Sequence, residues 1–373
     1  MLYRGDVQMG ELRKVQRTPG GTFFVCLPKP WAERCGLKRG SVVAVNETSD
    51  GRLLIDPKYD VETSPHTVSL KPRPHLSREI VSKYLLGFDI IRVEAKDRIS
   101  LEVRNAVKKT ASRLIGLEIV EEDYASIVLQ CLLAPSGFLP EKILRRGYAI
   151  TAGMHHDVVN ALVDGDVHLA KSVIARDEEV NRLYFLLVRI LRTVIQNPRL
   201  SEKLGVRPIE CLDYRLTASL VEAIGDECVR AALKATALKG EKLTEDLKKV
   251  LVGFHVICFE AHENALRAFF SADVGLAEGV RGMREKVERM FAGIEGVTKA
   301  ESLDVVPYVL AAASTLRQIY EHSVDIADLV MPKKLRREAY LLFAVFYPMK
   351  HARSFLIRQC TVLHRLCDSW IRW

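Results

Sequence analysis

The chain has no long apolar run. Its longest, Tyr340–Met349, falls far short of the ~20 residues a membrane-spanning helix needs. The opening MLYRGDVQMGELRK has neither an apolar core nor a small-residue cleavage site, so no secretory leader is expected. None of the eight cysteines stands in a C-x-x-C pair, which excludes zinc ribbons and thioredoxin-like motifs. In so long a chain they are expected to be reduced and mostly buried, as in a cytoplasmic protein. No Walker A loop and no G-x-S-x-G occur, and His255…Glu260…His262 lacks H-E-x-x-H spacing. Catalysis has no address, and the expectation is not an enzyme.

What is present is an ordinary folding composition. The 373 residues, 48% hydrophobic and 27% charged, suffice for several cores rather than one. The net charge of +8 is unevenly spread. Residues 1–40 carry +5 and residues 332–373 carry +7, leaving a mildly acidic body between two basic ends. A cationic head is what a polyanion-binding module needs.

Hydropathy patterning divides the chain into five stretches. Residues 1–60 hold short β-branched runs, RKVQR, TFFVCLP, VVAVNE and RLLIDP, separated by PGG, GLKRG and SDG turns, with one short helix at KPWAERCG. Residues 61–137 alternate strand and helix patterns, βαβ then αββ, and read as a small α+β linker or dimerising unit. Residues 138–240 and 241–331 are helical, with apolar positions at three- and four-residue spacing and breaks at NPRLSEKLGVRP and KGEKL. Residues 332–373 form a basic, aromatic extension expected to pack on the bundle.

The two helical stretches are copies. At an offset of 107, Ala161, Asp166, Val167, Leu169, Ala170, Val173, Glu178, Val180 and Arg182 meet identical residues. Further on the offset falls to 95, where Ile224, Val229 and Ala232 meet Ile319, Val324 and Ala327. The longer connection Asn197–Arg207 absorbs the difference, as surface loops can. The expectation is a duplicated three-helix unit.

Acidic residues stand at helical spacing in the first copy. Glu222 and Asp226 are four apart, as are Asp177 and Asn181, so each pair shares a helix face. If the two helices pack side by side, three carboxylates and an amide converge. Like charges so placed repel unless protons or a cation compensate. A hard or intermediate cation with oxygen ligands, Mg²⁺, Mn²⁺, Ca²⁺ or iron, fits that donor set. In the second copy the same positions hold Arg284, Glu288, Arg317 and Glu321. There the guanidinium groups are expected to replace the ion, leaving one metal site per chain. His155 and His156 adjoin, but neighbours on a helix point to different faces, so no joint site is expected.

Two resemblances follow from these motifs. Arg13-Lys14-Val15, Gly20-Gly21, Val25-Cys26-Leu27-Pro28-Lys29, Leu37-Lys38-Arg39-Gly40, Val42-Val43 and Leu53-Leu54-Ile55-Asp56-Pro57 resemble the swapped-hairpin AbrB/SpoVT DNA-binding domain. That likeness implies a homodimer with interleaved strands. Arg13, Lys14, Arg17 and Lys29 could then face phosphates from a ribbon in the major groove. The duplicated helices resemble the PhoU family, through Glu222-x-x-x-Asp226 within Leu220–Ala232, through Asp177–Leu183, and through Leu316–Asp328. Head and bundle together resemble archaeal-type phosphate uptake regulators. The fold so implied is mainly α: a duplicated PhoU-like three-helix bundle, preceded by a swapped-hairpin β domain and a short α+β unit. The function implied is DNA-binding regulation of phosphate uptake with a metal-binding helical sensor holding Mg, Mn or Fe. The rival is an accessory protein acting on a phosphate ABC transporter or its sensor kinase, with the head only dimerising.

Overall fold

The computed structural model describes residues 11–47, 51–57, 65–238 and 241–331. The basic C-terminal extension of residues 332–373 therefore lies outside the described residues. The molecule is mainly helical, in two units.

The first unit is made of short ribbons. β1 (Gln16–Arg17) pairs antiparallel with β2 (Phe23–Phe24), and β3 (Ala44–Glu47) with β4 (Leu53–Asp56). Between them stands α1 (Lys29–Arg34), with Pro at its start, where a missing N–H costs nothing. The strands are shorter than the β-rich runs of the sequence. None of the described residues from 11 to 57 is buried, and Leu12, Val15, Phe23, Val42 and Leu53 are exposed. A two-stranded ribbon of this size has no apolar interior of its own.

The second unit begins with a four-stranded sheet of order β5-β6-β8-β7: β5 (Thr67–Leu70), β6 (Ile90–Glu94), β7 (Leu117–Glu122) and β8 (Ser126–Cys131). The β5–β6 pair is parallel and joined by α2 (Leu76–Leu85); the other pairings are antiparallel. α3 (Leu101–Ser112) leads into β7, its cap Ser100 accepting from the Val103 N–H. Ile80, Tyr84, Ile91, Val93, Val107, Ile127 and Leu129 form a core of their own. The βαβ and αββ order read from hydropathy is thus realised. Gly116, between α3 and β7, has φ +76°, and a methyl there would overlap the Leu133 side chain.

The helical bundle follows. Repeat one comprises α4 (Pro140–Asp164), α5 (Val167–Gln196), α6 (Pro198–Leu204) and α7 (Glu210–Ala237). Repeat two comprises α8 (Glu245–Ser271), α9 (Val274–Gly282), α10 (Arg284–Val297) and α11 (Val306–Asp328). One continuous core of Val, Leu, Ile, Ala and Phe side chains runs through both.

The internal duplication extends to the caps. α4 ends on Gly165 and α8 on Ala272, 107 residues apart and both left-handed. The next helices start on Asp166 and Asp273, each accepting backbone N–H bonds. Two departures from a plain three-helix unit appear. The connection Asn197–Arg207 is largely helical, because Asn197 caps Pro198–Leu204 and Leu200 and Leu204 are buried. In repeat two the second helix is interrupted at Met283, following Gly282, where repeat one runs unbroken through Arg176.

Arg189 on α5 ties the α+β region to repeat one. Its side chain is 2% exposed. Nη1 donates to the Tyr84 and Phe88 carbonyls at 2.7 and 2.8 Å, and Nη2 lies 3.2 Å from the Asp89 carboxylate. The guanidinium adds a second donor to the Tyr84 carbonyl, which already accepts the Gly87 N–H at 3.0 Å, and supplies one to the Phe88 carbonyl just past the end of α2.

Candidate functional site: the acidic face of repeat one

α5 and α7 pack side by side, as the two acidic motifs require. Asp177 lies on α5 one turn from Asn181, whose amide donates to Asp177 Oδ2 at 2.8 Å. Glu222 and Asp226 lie one turn apart on α7. Gly225 sits between the helices: a methyl there would stand 3.6 Å from Asp177 Oδ1 and from the Val180 side chain. The small residue inside the acidic motif lets α7 approach the Asp177 carboxylate. That positioning role is not legible from charge spacing.

The electrostatics match this convergence. Burial, then repulsion from Asp226 and Asp177, pushes the Glu222 carboxyl up to about 8. Burial, then Asp226 and Glu178, pushes Asp177 up to about 6. Burial also raises Asp226, against the nearby Arg230. Asp177 Oδ1 is buried and has no hydrogen-bond partner. Arg215 draws the Glu222 carboxyl down less strongly than burial and the acids raise it. Beside the face, Arg113 from the end of α3 reaches Glu178 at 3.0 Å, and Arg146 reaches Glu179 at 2.7 Å.

As the side chains stand, no three histidine, cysteine or acidic groups among the described residues surround one point as a metal needs. The donor chemistry, oxygen only with one orphaned carboxylate oxygen, suits a hard cation. The placement requires a carboxylate to swing before three could ligate together.

Repeat two answers the same problem differently. Arg284 donates to both oxygens of Glu321 at 2.8 Å, a bidentate pair. Arg317 stands 3.4 Å from Glu288. The pairs cross between α10 and α11 instead of running along one helix. Each arginine is also placed over an aromatic ring, Arg284 over Tyr320 and Arg317 over Phe291.

The basic residues of the first unit are exposed. Arg13 pairs with Glu11 at 2.6 Å, and Lys29 stands 3.8 Å from Glu33. Arg17 on β1 lies over the Phe23 ring across the ribbon, and Lys14 immediately precedes that strand region. All four are on one short stretch of chain, and three of their charges, those of Arg13, Arg17 and Lys29, are partly engaged within it.

Of the histidines, His155 is fully buried and His156 exposed, as expected for neighbours on a helix. Sequence spacing did not show that His155 meets His255 and His262 from α8. Of the described cysteines, Cys131, Cys211, Cys228 and Cys258 are buried, while Cys26 is exposed. No helix among the described residues is long and apolar enough to cross a membrane.

No curated protein matches the chain. Solved structures similar to it include two PhoU proteins. PhoU from Pseudomonas aeruginosa is 22% identical over 51% of this chain and 93% of that one, with a TM-score of 0.46. The phosphate transport system regulatory protein PhoU from Streptococcus pneumoniae is 17% identical over 54% and 94%, with a TM-score of 0.44. Residues 144–235, the stretch that contains Asp177, Asn181, Glu222 and Asp226, match the PhoU domain.

Proposed function

We propose that the chain regulates phosphate uptake, as a homodimer that holds DNA through its basic ribbons and responds through the acidic face of repeat one. The PhoU-domain match over residues 144–235 supports the phosphate connection. The observation that carries the sensing half is the contrast between repeats. Equivalent positions hold Arg–Glu pairs in repeat two and, among the described residues, acids raised by burial and mutual repulsion in repeat one. A face kept short of positive charge is poised to take up protons or a cation.

For the cation, Mg, Mn or Fe held by Asp177, Asn181, Glu222 and Asp226 is the reading, with one site per chain. Its support is the oxygen donor set and the orphaned Asp177 Oδ1. Metal analysis of the purified protein tests it: one equivalent, lost in Glu222→Gln, is expected. Two equivalents, with loss on mutation of either repeat, would refute it.

For the head, unburied apolar residues on every ribbon support pairing with a second copy, and Arg13, Lys14, Arg17 and Lys29 supply the cations. Each phosphate neutralised contributes about −0.9 to the salt slope of binding. A gel shift across a salt series is the test. Binding that weakens steeply with salt supports DNA contact. No binding at low salt favours the rival, an accessory protein on a phosphate transporter or its sensor kinase, with the head only dimerising. That rival draws on Arg13 and Arg17 being partly engaged inside the ribbon. Genomic binding maps from phosphate-rich and phosphate-starved cells would then separate direct transcriptional control from action on the transport machinery.

A further inference from the structure

The seam between the two repeats is lined with imidazoles. α4 and α8 are the equivalent first helices of the duplication, and His155 and His262 are equivalent residues, 107 apart. Tyr148 and His255 are equivalent by the same offset. Their contacts are reciprocal: Tyr148 meets His262 edge-on at 5.3 Å between ring centres, and His155 meets His255 edge-on at 4.9 Å. The ring centres of His155 and His262 lie 5.7 Å apart, with the ring planes tilted by 33°. This is the internal counterpart of a two-fold interface, in which each helix presents the same patch to the other.

Both central rings are 0% exposed, and none of their four nitrogens has a hydrogen-bond partner among the described residues. Native interiors rarely leave buried polar atoms so, and each such case asks for an explanation. Burial holds both rings neutral, which leaves a lone pair available on each. Besides burial, the groups that act on His155 among the described residues are other imidazoles, and burial is what lowers His262.

We propose that His155 and His262 form a buried two-imidazole site for a soft monovalent metal ion of the copper(I) class. Imidazole suits copper. Two imidazoles on opposite sides of one ion, with metal–nitrogen distances of about 2 Å, set ring centres about 6 Å apart. The observed separation is already 5.7 Å. Turning the rings is cheap, because the histidine χ2 torsion is broad. A dication would be buried there without a counter-charge, whereas a monovalent ion with two ligands carries the smallest such penalty. A line of imidazoles leads outward: exposed His156 lies 5.7 Å from His255, which lies 4.9 Å from His155. The two-ligand site needs no third donor, and so differs from the acidic face on α5 and α7.

The test is an anaerobic titration of the full chain with copper(I) against a chromogenic chelator, with X-ray absorption on the loaded protein. The expected result is one retained equivalent with two nitrogen ligands and no sulfur. His155→Leu and His262→Leu, close in volume and apolar, should each lose that equivalent while thermal melting shows them folded. His156→Ala should keep the equivalent but take it up more slowly. No retained equivalent, sulfur ligation, or retention in both Leu variants would overturn the proposal.

Discussion

Arg284 clasps Glu321 with two 2.8 Å hydrogen bonds at the place where repeat one sets Asp177 near Asp226. The same backbone position thus carries a guanidinium in one copy and a carboxylate in the other. If the contrast is one of charge alone, grafting the cation should relieve repeat one. Asp177→Arg is expected to raise the melting temperature at pH 7 to 8, by removing one acid and pairing with Asp226. The gain should be on the order of 1 kcal/mol, because the face is partly open to solvent. A lower melting temperature would show that packing around Gly225 outweighs charge.

The raised acids give stability a definite pH slope. In the unfolded chain Asp and Glu titrate near 3.9 and 4.3. In the folded chain Asp177 is at about 6 and Glu222 at about 8. The native state therefore binds more protons across that window. The stability of this face is fully present below about pH 4 and is lost as pH rises through about 8. Above the histidine range, urea midpoints between pH 7 and 9 should fall with pH, and Glu222→Gln should flatten the fall. A slope that survives the substitution would place its origin elsewhere.

Histidines at the seam between α4 and α8 act in the opposite direction. His255 is depressed to about 4 and His262 to about 3, with burial as the main cause in both. A histidine that is harder to protonate when folded adds stability above about pH 6.5, lost as pH falls toward the folded values. Acid unfolding monitored by circular dichroism should shift to lower pH in His262→Leu. An unshifted acid limb would remove the seam as its cause.

Ala272 holds φ 55° where repeat one uses Gly165. A left-handed conformation costs an L-residue roughly 1–2 kcal/mol. Ala272→Gly should therefore stabilise the chain by about 1 kcal/mol, measured as a rise in urea midpoint at constant slope. Gly165→Ala should lower the midpoint by a similar amount.

Arg189 offers the strongest single perturbation. Arg189→Met keeps the apolar stem but takes the guanidinium from the Phe88 carbonyl and the Asp89 carboxylate, while the Tyr84 carbonyl keeps the Gly87 N–H, for a loss on the order of 1–3 kcal/mol. Denaturation followed separately in the sheet and in the bundle should lose coincidence, since the two cores share few side chains besides Leu85, Leu133 and Phe185. Transitions that still coincide would show that those apolar contacts suffice.

Periodicity and spacing were enough to determine the helical character, the order of the α+β elements, the duplication, and that Asp177 shares a helix face with Asn181 and Glu222 with Asp226; that the two faces meet came from the packing of α5 on α7. These are properties of local chain geometry: a 3.6-residue period fixes which residues share a face, and a cap residue fixes where a helix stops. Tertiary structure alone decided the rest. Arg189 could find the end of α2 about a hundred residues away only after two cores had formed. His155 and His262, unremarkable on their own helices, met because the copies pack against each other through equivalent faces. Gly282 and Met283 mark a break that helical periodicity runs straight across. Contacts between distant segments depend on how helices cross and which side chains fill the gap, and a linear pattern carries no record of either.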